Sequence, residues 1–421
     1  MTPRTGGPGG KRGHPGAGNA ASAQRALLES PALAVPLAEL LTARRLVLDS
    51  WSHERTFDRP GAGVTALCRV VALDPAGDRI NLYAGVTTAP AAAEGPVLRT
   101  SAAGVPLFLW LHPHDPLLPD LPWALSPSEI AEQVFAGADA AETTLSVTGY
   151  RPLRRAVIRA RSGGELAYIK VVLPGQAEGL RRRHELLEAS AVPAPVLIPG
   201  AEGRSAVVLA ALPGSPLLPE LAAGTSRITP AEITALLDDL PEPAMALRRR
   251  PAWADRAPAY GRAAGGVLPG QQKRVHGTAK QIKALVADLD PGPVVPVHGD
   301  FYEGNLLTAD GRITGVLDVD GLGPGHRVDD LACFLGHLAV LARISPESAL
   351  PGALSVFHEA FESAAAQAGS SAAALNARAA GVALSLVPGA RAGQLDRQAN
   401  AELRLAAAEA LLERALHGRT A

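Results

Sequence analysis

Residues Val295 to Leu331 read VPVHGDFYEGNLLTADGRITGVLDVDGLGPGHRVDDL. Within this stretch Asn305 follows Asp300 by five positions, and Asp318 follows it by eighteen. Pro293 to Val297 is a short apolar run that delivers His298-Gly299-Asp300 to a loop. Leu306-Leu307-Thr308 and Ile313 to Val319 read as two strands. Between them Ala309-Asp310-Gly311-Arg312 is a tight turn, with Asp-Gly as the hairpin signal. Such a hairpin sets Asp318 at a strand end beside the loop that carries Asp300 and Asn305.

That placement has a chemical reading. Phosphoryl transfer requires an acidic side chain facing the attacking hydroxyl, and oxygen ligands for the magnesium that bridges the phosphates. A D-x-x-x-x-N loop followed by a metal-binding Asp supplies this set. Asp300 is the candidate catalytic carboxylate. Asn305 and Asp318 are the candidate metal ligands, since magnesium is a hard cation that prefers oxygen. A solvated hairpin with ordinary turn acids would explain a lone D-x4-N pattern. It does not explain H-G-D-x4-N followed by a strand-borne L-D-x-D.

The segments HGDFYEGNLL and GVLDVDGLGPGHRVDDLA resemble the aminoglycoside phosphotransferase and choline-kinase-like family. The resemblance runs from about Leu145 to the C-terminus and is most specific over the catalytic segment. It implies a bilobal protein-kinase-like fold with a β-rich N-lobe and a helical C-lobe. It also implies ATP- or GTP-dependent, Mg2+-dependent phosphorylation of a hydroxyl on a small molecule. By the same resemblance Lys170 holds the α- and β-phosphates, and the backbone at Ala210 and Leu212 holds the nucleotide base. Asp300 orients and deprotonates the acceptor, and His298 braces the loop. Asp320 reads either as a ligand for a second ion or a cationic substrate group, or as an ordinary loop carboxylate.

Bulk composition bounds the alternatives. A chain of 421 residues is long enough for two to three domains. Hydrophobic residues make up 47%, enough for packed cores, and the formal net charge of −1 gives no reason to expect nucleic acid or an anionic membrane as partner. Cys68 and Cys333 sit far apart in apolar runs without a C-x-x-C partner, so they read as small buried hydrophobes in a reduced, cytoplasmic setting. No apolar run is long enough to span a bilayer. The N-terminus has basic residues but no apolar stretch of secretory type. Oligomeric state is not legible.

Taken in order, residues 1–24 are rich in Gly, Pro, Ala and Ser and read as a disordered tail. Residues 25–124 combine a helical pattern at Leu37, Leu40 and Leu41 with strand-like runs at Val64 to Leu73, Arg79 to Thr87 and Gly104 to Leu111. This predicts a small α+β domain, which loosely resembles the cap preceding the kinase core of maltokinase-like enzymes. It carries no chemical motif, and His53, His112 and His114 read as scattered surface histidines. Nucleotide binding is therefore expected to survive its removal. Ser126-Pro127-Ser128-Glu129 is a capping box that opens a connecting helix within 125–143, running to about Ala136.

The kinase-like N-lobe is expected over 144–214. On the strand Leu166 to Leu173, Lys170 stands alone among apolar neighbours, and a buried Lys needs an anionic partner. The glycine-rich phosphate loop of protein kinases is missing, replaced by Gly149-Tyr150-Arg151-Pro152-Leu153-Arg154-Arg155. In the helix Gln176 to Ala189, Ala177, Leu180, His184 and Leu187 form the apolar face, with Glu178 and Glu185 turned away and Glu188 at its edge. If this helix offers Lys170 a carboxylate, the register allows only Glu188. The C-lobe, 215–421, is helical. It has a second capping box at Thr229-Pro230-Ala231-Glu232, a helix over Gln272 to Leu289, and an Asp329-Asp330 pair expected to cap the helix Leu331 to Ala342. Acceptor contacts are expected from Ala252 to Gly270, with Trp253, Asp255 and Tyr260. Asp255 is the only acid between Arg248 and Arg274, which disfavours a polycationic acceptor. Two rival readings stand beside the kinase: a pseudokinase or nucleotide-binding scaffold, supported by the missing Gly loop, and a sugar kinase of the maltokinase type.

Overall fold

The computed structural model describes residues 17–59, 63–90, 97–391 and 395–418. By packing the chain divides into two units. The first runs to Ile130 and adds Thr144–Ile158 and Lys170–Pro174, while the second comprises Ala131–Thr143, Arg159–Ile169 and everything from Gly175 onward.

In the first unit, helix α1 (Ala17–Leu28) begins inside the stretch read as a tail. Residues 1–16 of that stretch lie outside the described residues. The correction has a simple cause: AGNAASAQRALL is made largely of good helix formers, and Leu28 is fully buried. Helix α2 (Ala34–Thr42) follows, burying Leu37, Leu40 and Leu41 as expected. Five antiparallel strands come next: β1 (Val47–Arg59), β2 (Gly63–Leu73), β3 (Arg79–Thr87), β4 (Leu98–Ala102) and β5 (Val105–Leu111), in the order β1-β2-β3-β5-β4. On β2 the alternate residues Val64, Ala66, Cys68, Val70 and Ala72 are all buried, the period-two signature of a sheet with one covered face. Cys68 behaves as the expected small hydrophobe, and burial pushes its thiol up to about 12. Strand β4, LRTSA, was not legible because its sequence lacks apolar alternation.

After the short helices α3 (Leu121–Ala124) and α4 (Pro127–Gln133) comes the hairpin of β6 (Thr144–Arg151) and β7 (Arg155–Ser162). Helix α4 stops at Gln133 rather than near Ala136, because Ala136 and Gly137 turn to positive φ. The β6–β7 turn is fastened inside the first unit. Asp115, 3% exposed, accepts from the Tyr150 hydroxyl and from the Leu153 backbone N–H, each at 2.7 Å. Trp110 Nε1 donates to the Tyr150 oxygen at 3.2 Å. His112 lies against the Tyr150 ring and is half-buried, so it is not the surface histidine expected. These contacts are why the packing division differs from the boundary at Thr144 read from the sequence. Strand β8 (Glu165–Val172), β9 (Leu197–Ile198) and β10 (Ala206–Ala210) complete a sheet of order β6-β7-β8-β10-β9. On β8, Ala167, Ile169 and Val171 are fully buried, and Lys170 is buried too.

The second unit is mainly helical. Helix α5 (Ala177–Glu188) buries Ala177, Leu180, His184 and Leu187, the face read from its spacing. Strand β11 (Ser215–Pro216), α6 (Leu217–Ala223) and α7 (Pro230–Asp238) follow, with the Thr229–Glu232 capping box formed in both directions. Then come α8 (Ala257–Val267), α9 (Gln272–Asp288), β12 (Val294–Val297), β13 (Leu306–Ala309), β14 (Arg312–Val316) and β15 (Gly323–His326). The last four helices are α10 (Arg327–Ile344), α11 (Leu350–Gln367), α12 (Ala372–Leu386) and α13 (Arg397–His417). The core is organised on α10 and α12. Gly336 and Gly381 let backbones approach where a Cβ would strike Val382 and Ala254 at under 3 Å. No helix among the described residues is long and apolar enough to cross a membrane.

Candidate active site

The β13–β14 hairpin forms as its sequence dictates. Asp310 and Gly311 both take positive φ, 53° and 74°, which is the type I′ geometry that Asp-Gly favours. Strand β12 delivers His298, and β15 pairs back onto β12, so the segments before Asp300 and after Asp318 share one two-stranded ribbon. Strand β15 was not expected from Gly-Pro-Gly-His, a poor strand sequence; Gly325 fits because a Cβ there would meet Val297 at 2.4 Å. Where the two loops cross, Gly299 (φ 82°) and Gly321 touch backbone to backbone. A Cβ on Gly321 would fall 2.5 Å from the His298 carbonyl oxygen.

This crossing fixes the three predicted residues on one frame. Asn305 Nδ2 donates to the Asp300 carbonyl at 2.9 Å, and the Leu317 N–H donates to the Asn305 carbonyl at 2.8 Å. Asp318, one residue further, sits in the left-handed region (φ 55°, ψ 48°), a conformation that Asp tolerates better than most residues. His298 braces the loop as expected. Its Nε2 donates to the Leu317 carbonyl at 3.0 Å, its Nδ1 accepts from the Asp300 N–H at 3.3 Å, and its ring stands edge-on to Phe301. Phe301 continues through Phe334 to Phe357 and Phe361, tying the loop to the helical core.

Asp330 departs from its expected role. The residue at the N-cap of α10 is His326, and both acids lie inside the first turn. Asp330 is fully buried and accepts from two successive backbone amides of the catalytic loop, His298 N–H at 2.7 Å and Gly299 N–H at 2.8 Å. Burial pushes its carboxyl up to about 7, although those amides and Arg327 pull the other way. Asp329 forms a largely buried ion pair with Arg378 at 2.5 Å. The helix was misjudged at its start because His326 and Arg327 carry no capping signal.

Four further residues at the site were not singled out from the sequence in these roles. Cys333 directs its thiol to Asp300 Oδ1 at 3.9 Å, and burial together with the surrounding carboxylates pushes that thiol far up. Glu303, 2% exposed, has an Oε2 without a partner among the described residues, and burial raises its carboxyl to about 7. Tyr302 stacks on His337 at 4.0 Å and is pushed up to about 12 by burial and by Asp300, Glu303 and Asp318. Arg183, on the buried side of α5, donates from Nε to the Leu322 carbonyl at 3.0 Å. The residues named for acceptor contacts fare differently. Trp253 and Tyr260 stack at 6.1 Å, and the Tyr260 phenol, raised by burial, also feels the charge of Asp300; Asp255 is exposed and accepts from the Ala252 N–H.

The segment expected to hold the base, Ala210 to Gly214, leaves β10 at an open turn. The Ala210 N–H is spent on the Val196 carbonyl at 2.9 Å, so a ligand would meet the Ala210 carbonyl. Leu212 lies over Gly315 of β14. Glu178 and Glu185 of α5 pair with Arg181 and Arg182 and, like Glu188, are exposed, so this helix presents no buried carboxylate.

The D-x4-N loop and the Asp318-Val319-Asp320 turn are thus gathered on one backbone frame. Residues 170–366 match the model of the phosphotransferase enzyme family. Similar solved structures include an aminoglycoside phosphotransferase in ternary complex with ADP and hygromycin B, at 17% identity, covering 64% of this chain and 94% of that chain with a TM-score of 0.43. A glucosamine kinase matches at 17% identity over 87% of this chain and 94% of that chain, TM-score 0.43. A Plasmodium vivax ethanolamine kinase matches at 11% identity over 64% and 83%, TM-score 0.42. No match to a curated protein reaches significance.

Proposed function

We propose that this protein is a cytoplasmic, Mg2+-dependent kinase that transfers the γ-phosphoryl group of ATP or GTP to a hydroxyl of a small molecule. The observation that carries this reading is the shared frame of Asp300, Asn305 and Asp318, closed by the Asn305–Asp300 and Leu317–Asn305 hydrogen bonds. Asp300 accepts the acceptor's hydroxyl proton and aims its oxygen. The donor set fits magnesium. Asn305 commits its amide nitrogen to the Asp300 carbonyl, no donor among the described residues takes its Oδ1, and Asp318 adds a carboxylate. No group of three His, Cys, Asp or Glu among the described residues is arranged for a metal. Magnesium takes one or two protein oxygens and completes its shell with phosphates and water. Magnesium, when bound, neutralises charge on the phosphoryl oxygens. Lys170 positions the phosphates, and the Ala210 carbonyl and Leu212 N–H hold the base.

The stacked Trp253–Tyr260 pair favours a ring-bearing acceptor such as a sugar. The basic run around it argues against a polycation. ATP consumption measured with panels of sugars, amino alcohols and aminoglycosides tests the reading. Turnover should require Mg2+ and should vanish in Asp318→Ala. Full turnover in a folded Asp318→Ala protein would sink the metal assignment, and Mg2+-independent binding without turnover would favour a scaffold.

A further inference from the structure

A cavity of about 660 Å3 lies between α10, α11 and α13. Cavities that take a small organic molecule measure roughly 300–1,000 Å3. The α10 wall runs from Ala339 to Arg343. At about 1.5 Å per residue it starts roughly 9 Å along the helix from Cys333, whose thiol borders Asp300. His358, 6% exposed, lines the cavity from α11. Its ring is held in one tautomer. The Asn376 amide nitrogen donates to Glu362 Oε1 and to the Ala372 carbonyl, each at 2.9 Å, so both amide hydrogens are used. Asn376 Oδ1 therefore accepts from His358 Nε2, at 2.7 Å. With the proton on Nε2, and burial lowering the pKa of the ring, Nδ1 carries a lone pair. No donor among the described residues meets that lone pair, and Nδ1 is not sealed in, so it opens onto the cavity. Bracing α11 against α12 accounts for Nε2 and leaves Nδ1 unexplained.

The rest of the lining selects a class of ligand. Arg343 and Arg414 supply two cations, and Glu359 and Glu362 two carboxylates. Neither arginine has an acidic partner among the described residues, and the Glu359 carboxylate has no cation there. A ligand of one sign would meet as much repulsion as attraction, whereas a zwitterion faces both signs favourably. Leu354 and Leu411 add apolar wall. We propose that this cavity binds a zwitterion with an apolar side chain, an amino acid or a short peptide. Its ammonium donates to His358 Nδ1 and its carboxylate faces Arg343 and Arg414. The site stands apart from the phosphoryl-transfer residues and holds whether or not the chain is a kinase.

Calorimetric titration of the full chain with leucine and with leucyl-leucine tests this. At least one of them should bind at millimolar concentration, and the tighter of the two tells amino acid from peptide. The N-acetylated form of that probe lacks the ammonium and its C-terminal amide lacks the carboxylate, so each should bind about fivefold or more weakly. His358→Leu removes the Nδ1 acceptor and should cost the uncapped probe a similar factor. Arg414 is exposed, so Arg414→Ala should fold as wild type and weaken the probe about two- to fivefold. No binding of either probe at millimolar concentration overturns the proposal. Equal binding of capped and uncapped forms overturns the ligand class. Wild-type affinity in both Arg414→Ala and a folded His358→Leu places the probe elsewhere and overturns the site; should His358→Leu not fold, Arg414→Ala and the capped forms decide.

Discussion

Replacing Asp330 probes how the catalytic loop is held. Its carboxylate takes the His298 and Gly299 amides at 2.7 and 2.8 Å in a fully buried place. In Asp330→Ala both amides lose their acceptor with no access to water. Each buried, unsatisfied donor costs about 1–3 kcal/mol, so the pair should cost roughly 2–6 kcal/mol. Against a native stability of about 5–15 kcal/mol, that is a large fraction. In Asp330→Asn one oxygen remains and the new amide nitrogen opposes the second N–H, so the cost should be about half, roughly 1–3 kcal/mol. At about 2–4 °C per kcal/mol, the Asn variant should melt several degrees below wild type, and the Ala variant further still. Differential scanning calorimetry at pH 8, where the carboxylate is ionised, measures the order. Turnover should fall in both, because Gly299 leads directly into Asp300. An Asp330→Ala protein that melts and turns over like wild type would refute the clamp.

Other expectations follow from the same geometry. Glu303 has a folded pKa raised from 4.5 to about 7 by burial, so the stability tied to its neutral form is complete below about pH 4.5 and is lost as pH rises through 7. The melting temperature should therefore decline between about pH 4.5 and 7 and level off above 7, and Glu303→Gln should flatten that decline; an equally steep decline in the variant would contradict the assignment. Asp115→Ala strips the Tyr150 hydroxyl and the Leu153 amide of their acceptor, so hydrogen exchange in the β6–β7 turn should quicken markedly, and unchanged protection would show that the anchor is dispensable. For the same reason a chain starting near Ser126 is no longer expected to keep the β6–β7 turn intact, and comparing its nucleotide affinity with that of the full chain measures what the N-terminal segment contributes.

The parts that the sequence announced are those where local chemistry and geometry agree. Asp310-Gly311 demanded positive φ and produced the hairpin; Thr229 and Glu232 capped their helix; the strand-like run Val64 to Leu73 came out as β2, and the spacing on α5 as a buried face. The D-x4-N loop was legible because its spacing is set by backbone bonds between near neighbours, Asn305 to Asp300 and Leu317 to Asn305. What stayed hidden depends on partners distant in sequence. Asp330 reads as a cap until β12 arrives beside it, and Cys333 reads as a buried apolar residue until Asp300 arrives. Nothing in the run Arg181-Arg182-Arg183 says which one turns inward to Leu322. Asp115 follows a strand and precedes a proline, an ordinary turn position, and only the distant Tyr150 reveals its use. The helical start at Ala17 was masked because the Gly- and Pro-rich leader and the Ala-rich helix were averaged as one composition.

The most direct test of the central claim is transfer of radiolabel from γ-32P-ATP to an acceptor hydroxyl, in wild type against Asp300→Asn, with the acceptor chosen from the sugar and amino-alcohol panels. General-base and positioning contributions are typically worth about 10²–10⁴ in rate. The account predicts Mg2+-dependent labelling of a small molecule by wild type, and a fall of that order in a folded Asp300→Asn protein with nucleotide affinity retained. Equal labelling by the two proteins would contradict it.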